Sequence, residues 1–194
     1  MNRAADVAVA GLGLVLTSPL LAAAALAIKL EDGGPVLFRQ TRVGKDGGDF
    51  ELLKLRSMSV GAEHTGAGYA VDRGDPRITR VGRLLRRTSV DELPQLWNVL
   101  RGDMSVIGPR PTLRYQVDRY TEHQRRRLEV RPGLTGWAQV QGRATLSWAE
   151  RIELDVWYVD HRSTRVELGI LLKTPRALFG GTYRGATGGW GSDR

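Results

Sequence analysis

The first long pattern in the chain is an apolar run from Ala4 to Ile28, in which Asp6 is the one charge. That length suits a membrane helix. Arg3 precedes the run and Lys29 follows it, so flanking charge does not set its orientation. Thr17-Ser18-Pro19 interrupts it near the middle. Pro19 removes a backbone donor and clashes with the preceding turn, and the Ser18 hydroxyl can bond a freed carbonyl. Three architectures fit this segment. One is a kinked spanning helix. Another is a signal peptide cleaved after Ala25-Leu26-Ala27. The third is a re-entrant helix, broken at Ser18-Pro19, that enters and leaves by the same leaflet.

Beyond the turn Glu31-Asp32-Gly33-Gly34-Pro35 the period changes. Residues 36–40 and 50–56 read as short strands around Gly44-Lys45-Asp46-Gly47-Gly48, which predicts a β-hairpin. Ser59 to Asp75 is rich in glycine and polar residues and reads as a mobile loop. Residues 77–87 have helical period, with Ile78, Val81, Leu84 and Leu85 on one face and Arg77, Arg80, Arg83 and Arg86 on another. Ser89 opens a helix with the stripe Leu93, Leu96, Trp97 and Leu100, ending at Gly102. A loop at 107–111, a long polar helix from Leu113 to Glu129 and a turn at 131–137 follow. Amphipathic helices are expected at 148–161 and 166–179. Their aromatic residues Trp148, Trp157, Tyr158 and Phe179 suit a membrane interface and a soluble core equally.

The pattern predicts an α+β chain, predominantly helical. The expected units are a membrane helix at 1–30, a catalytic-size domain at 31–180 continuous with it, and a flexible tail at 181–194. Across 194 residues, Lys and Arg outnumber Asp and Glu by 29 to 21, a formal charge of +8. That excess calls for an anionic partner: nucleic acid, lipid headgroups or a phosphorylated substrate. The chain has no cysteine, which excludes disulfides and thiolate metal sites. His64, His123 and His161 lack zinc-ligand spacing.

Chemistry concentrates at Asp91 and Glu92. Ser89 followed three residues later by Glu92 matches a capping box, and acids in a first turn suit the helix dipole, so a structural explanation is available. The chemical explanation draws on the surroundings. A helix N-terminus attracts phosphate. Arg86 and Arg87 lie just before it, and Arg110 and Arg143 can add positive charge. A carboxylate in that setting can attack phosphorus or hold a divalent cation.

Taken in order, several blocks resemble the bacterial sugar transferases, the monotopic phosphoglycosyl transferases. They are Gly34-Pro35-Val36-Leu37-Phe38-Arg39-Gln40, Lys54-Leu55-Arg56-Ser57-Met58, the run from Ser89 to Ser105, Ile107-Gly108-Pro109-Arg110-Pro111, and the run from Arg131 to Arg143. The resemblance covers residues 4 to 180 and matches the family's small form. It implies transfer of a sugar-1-phosphate from a UDP-sugar to polyprenyl (undecaprenyl) phosphate, with release of UMP. It implies that Asp91 is the nucleophile, forming a covalent phosphosugar intermediate, and that Asp91 and Glu92 form a Mg²⁺-dependent centre. By the same resemblance Arg86, Arg110, Pro111, Arg143, Lys54 and Arg56 are the expected substrate and phosphate contacts. It favours the re-entrant helix at Ser18-Pro19 over the signal peptide, amphipathic helices at the membrane surface, and an active site on the cytoplasmic face of the bacterial inner membrane. A homodimer is in keeping with it.

Two other functions compete. A nucleic-acid-binding protein would explain the basic face at 77–87, but no nucleic-acid motif is recognisable and the apolar N-terminus would have no use. A non-catalytic membrane scaffold would have no reason to keep the dyad, Pro109-Arg110-Pro111 and Arg143 together. The identity of the sugar is not written in these residues.

Overall fold

The computed structural model describes residues 1–65, 74–142 and 146–179. Its first element is α1 (Arg3–Asp32), a 30-residue helix capped at its start by Asn2 and ended by Gly33 in the left-handed conformation. At 1.5 Å per residue it is about 45 Å long. By length and composition it could cross a membrane. Val9, Leu12, Val15, Leu16, Leu20, Leu26 and Leu30 are exposed along it. The expected break at Ser18-Pro19 does not end the helix, which runs through Pro19. The reason is local. Pro19 cannot donate to the Val15 carbonyl, and the Ser18 hydroxyl donates to it instead at 2.8 Å.

Both ends of α1 are held by the rest of the chain. Near its start, Arg3 donates to the carbonyls of Val99 and Leu100. Buried Asp6 accepts from the Ser105 hydroxyl and the Val106 amide, each at 2.9 Å. At its far end, Asp32 pairs with Arg56. Glu31 accepts from the Arg80 amide at 2.7 Å, and so caps α2 (Arg80–Thr88) together with Thr79.

The hairpin forms as expected. β1 (Leu37–Val43) pairs antiparallel with β2 (Asp49–Leu55) across a tight turn at Lys45–Gly47. α3 (Gln95–Arg101) packs against both α1 and β2. Leu96, Val99 and Leu52 join Ala10, Met104, Ile107, Tyr158 and Ile170 in the main core. The Asn98 amide stitches α3 to β2, accepting from the Leu53 amide at 3.0 Å and donating to the Glu51 carbonyl at 2.7 Å.

The polar helix expected from Leu113 to Glu129 is not continuous. It divides into α4 (Arg114–Val117), α5 (Glu122–Arg125) and a 3₁₀ turn at Arg126–Leu128. Thr121 starts the second piece with a capping box to Gln124. The bend between the pieces lets Val117 and Tyr120 pack with Val43, Ile152 and Val156.

The turn expected at 131–137 contains a strand. β3 (Ser105–Ile107) pairs parallel with β4 (Gly133–Thr135). α6 (Trp137–Gln141) follows, then α7 (Trp148–Asp160) and α8 (Thr164–Phe179), the last two where the period placed them. Trp157 stacks on Trp137 at 4.9 Å and Tyr158 is fully buried, so these two aromatics belong to the domain's own packing. Leu168 and Leu172 on α8 are exposed. The tail from 181 to 194 and the loop centre at 66–73 lie outside the described residues.

Candidate active site

α2 stops at Ser89, which adopts a left-handed conformation at φ +57°. This reverses the chain sharply, at a conformational cost that a non-glycine residue bears only where its surroundings hold it. The residues after it form a 3₁₀ turn, Val90–Glu92, and α3 begins only at Gln95. The capping box from Ser89 to Glu92 is therefore absent: Ser89 makes no side-chain cap, and its backbone closes α2. The tight turn sends the two carboxylates into different surroundings.

The Glu92 carboxylate is gripped by two cations. Its Oε1 accepts Lys54 Nζ at 3.0 Å and Arg110 Nη2 at 2.5 Å, and its Oε2 accepts Arg110 Nη1 at 3.4 Å. Burial pushes this carboxyl up, but Arg110 and Lys54 outweigh it and hold it well below the usual range. Asp91 is 7% exposed. Among the described residues none donates a hydrogen bond to its carboxylate. Burial pushes Asp91 up, assisted by the Glu92 charge and opposed by Lys54, Arg86 and Arg110. Burial also lowers Lys54, with Glu92 and Asp91 acting against it. The pair thus holds one carboxylate neutralised by cations and one desolvated and uncommitted. A desolvated carboxylate amid cations has the properties of a nucleophile toward an anionic phosphorus centre.

Pro109-Arg110-Pro111 follows β3, which fixes where the Arg110 side chain starts. Gly108 and Gly133 approach so closely that a Cβ on Gly108 would lie 2.3 Å from the Arg131 carbonyl oxygen. The Pro109 carbonyl accepts from the Gly133 amide at 2.8 Å, and the Pro111 carbonyl from Arg42 at 3.3 Å.

Of the residues expected from sequence, the structure joins Glu92, Lys54 and Arg110 by direct contact, sets Asp91 beside them within reach of the Arg86 charge, and has Pro111 bracing the loop. Arg56 stands apart from these contacts. It is buried at the end of α1, where its guanidinium grips Asp32 and donates to the Pro35 carbonyl at 2.6 Å. It anchors α1, with a further bond from Nη1 to the Met58 carbonyl at 3.3 Å. Arg143 lies outside the described residues. Among the described residues no group of three or more His, Cys, Asp or Glu side chains is placed to hold a metal.

Sequence reading missed Asn98, which locks α3 to the strand carrying Lys54. It also missed Arg127 and Asp155, which lie behind the Arg110 loop. Asn98 had a readable signal, an amide flanked by the apolar positions of a helix. Arg127 had none, being one of three consecutive arginines.

The family described as bacterial sugar transferase matches residues 1–181. A UDP-glucose:undecaprenyl-phosphate glucose-1-phosphate transferase of Caulobacter vibrioides is 47% identical over 92% of this chain and 69% of its own length. A Bacillus subtilis protein named Uncharacterized sugar transferase EpsL is 45% identical over 92% of this chain and 87% of its own. A UDP-N-acetylgalactosamine-undecaprenyl-phosphate N-acetylgalactosaminephosphotransferase of Aeromonas hydrophila is 44% identical over 93% of this chain, which spans 44% of that relative's length.

Proposed function

The chain belongs to the bacterial sugar transferase family, and from that premise we propose that it moves a sugar-1-phosphate from a UDP-sugar to undecaprenyl phosphate, releasing UMP. The named activities of the Caulobacter and Aeromonas relatives support this substrate pair. The observation that carries the mechanism is the division of labour in the dyad: Glu92 neutralised by Lys54 and Arg110, Asp91 buried and uncommitted.

In this mechanism an Asp91 carboxylate oxygen attacks the β-phosphorus of the UDP-sugar. The bond from that phosphorus to the bridging oxygen breaks, and UMP leaves with the electron pair. An oxygen of undecaprenyl phosphate then attacks the phosphorus of the aspartyl phosphosugar. The Asp91–phosphorus bond breaks and the carboxylate returns. Arg110, Arg86 and Lys54 supply charge against the oxygens that become more negative. Asp91 and Glu92 offer carboxylate oxygens that, with phosphate oxygens and water, make up the donor set Mg²⁺ ordinarily takes. Bound there, the ion would neutralise phosphate charge.

The bilayer enters through α1. A straight spanning helix would carry one end away from the domain that holds the other. Here Arg3 and Asp6 at one end and Glu31 and Asp32 at the other contact the same domain. That arrangement supports a helix whose two ends stay on one side of the bilayer, the side that carries the dyad, which for a UDP-sugar is the cytoplasmic one. The exposed leucines and valines between the anchored ends would meet lipid tails.

The test is UMP release from a panel of UDP-sugars with undecaprenyl phosphate and Mg²⁺. A covalent step also requires that labelled UMP exchange into the UDP-sugar without the lipid acceptor. Full turnover by Asp91→Asn would sink the nucleophile assignment.

A further inference from the structure

Behind the Arg110 loop lies a buried ion pair. Arg127, in the 3₁₀ turn Arg126–Leu128, donates from Nη2 to Asp155 on α7, and each side chain is 3% exposed. Such a pair is costly to bury unless every donor and acceptor finds a partner. Here two do not: Arg127 Nε and Asp155 Oδ1 have no hydrogen-bond partner. Apolar residues of similar volume often hold a core at least as well as such a pair. Core stability alone is thus a weak account of the pair.

The remaining donors of Arg127 supply a better one. Nη1 donates to the Tyr120 hydroxyl at 2.6 Å, and Nη2 also donates to the main-chain carbonyl of Arg110 at 3.0 Å. Two of the three residues in Pro109-Arg110-Pro111 have no N–H, so the loop is anchored mainly through its carbonyls. Gly133 takes the first, Arg127 the second and Arg42 the third. The second belongs to the residue whose guanidinium meets Glu92. A rigid chain therefore runs from Asp155 on α7 through Arg127 to the backbone of Arg110, and from its side chain to the dyad. A planar guanidinium suits this task because its fork fixes two acceptors relative to one another.

We infer that Arg127, oriented by Asp155 and Tyr120, is a positioning residue for the transfer: it sets the main chain of Arg110 so that the Arg110 guanidinium reaches Glu92 and the substrate's phosphate. The inference rests on the dyad being the reacting centre. It assigns no contact between Arg127 and substrate.

A double-mutant cycle on the full chain tests it, read as initial rates of UMP release. Arg127→Met is combined with Asp155→Leu, so that no lone buried charge is left and the protein keeps its fold, checked by thermal unfolding. This pair should unfold no more than a few degrees from wild type, while kcat falls about 10- to 100-fold for a misplaced group. Arg127→Lys should keep the charge beside Asp155 without restoring the rate. In an Arg110→Met background, adding the apolar pair should cost less than about 2-fold further, because Arg127 acts through Arg110. Wild-type turnover in the folded apolar pair overturns the inference, and so do effects that simply multiply with Arg110→Met. A wild-type protein that releases no UMP from any UDP-sugar sinks the transferase reading and this role with it. An active wild type with multiplicative effects sinks the role of Arg127 alone.

Discussion

Lys54 Nζ lies 3.0 Å from Glu92 Oε1, joining the hairpin to the dyad turn across 38 positions of sequence. The side chains are 19% and 18% exposed, so the contact is only partly screened by water. It is the link through which the register of β2 reaches the two adjacent carboxylates. Lys54 sits opposite Phe38 in the hairpin, and Asn98 holds the neighbouring Leu53 amide.

Replacing Lys54 with methionine leaves Glu92 to Arg110 alone and removes the cation that most opposes the upward shift of Asp91. The protein should lose about 1–3 kcal/mol of stability, the cost of stripping a partner from a largely buried charge. The acid limb of the kcat/KM profile should also move to higher pH. UMP-release rates across pH, with a melting curve at each point, check both.

Asp91 and Glu92 give opposite dependences of stability on pH. Glu92 is held below its ordinary range, so the unfolded chain binds its proton first as pH falls. Its contribution is full above the ordinary glutamate value and is lost as pH falls toward the depressed one. Asp91 is held above its range, so the folded state binds its proton more tightly. Its burial therefore weakens the fold as pH rises from the ordinary aspartate value through the raised one. Glu92→Gln should flatten the acid side of a melting-temperature profile, and Asp91→Asn should flatten the region just above it.

The Asp91→Asn protein should accordingly be more stable than wild type at neutral pH, on the order of 1 kcal/mol, while losing UMP exchange. Differential scanning calorimetry beside the exchange assay separates this from a variant that is inactive because it is misfolded.

Asp6 is the buried acid of α1, 2% exposed, and it holds the start of β3 through Ser105 and Val106. Asp6→Ala should cost about 2–3 kcal/mol, because a hydroxyl and an amide are left buried without an acceptor. Asp6→Asn keeps an acceptor and should cost about 1 kcal/mol. Chemical unfolding of the purified protein measures the difference.

Much of this protein follows from local sequence. The apolar run to Ile28 made α1, the glycines at 44, 47 and 48 made the hairpin turn, and the 3.6-residue period placed α2, α7 and α8, because those choices depend on neighbours a few positions away. The proline at 19 was legible as a break only in part. Its missing donor is covered by Ser18, so the backbone stays helical. Resemblance across ordered blocks, more than any single motif, marked Asp91 and Glu92. Their chemistry was decided elsewhere. The turn around Ser89 denies Glu92 the capping role that its spacing suggested, and frees it for Lys54 and Arg110. Arg56, two positions from Lys54, sits where α1 ends and pairs with Asp32, a contact that sequence spacing did not show. Arg127 is indistinguishable in sequence from Arg125 and Arg126, but it alone of the three faces Asp155 and the Arg110 carbonyl. Composition and period determine which segments become helices and strands. Which charge meets which depends on contacts between residues far apart in the chain, made only once the elements pack.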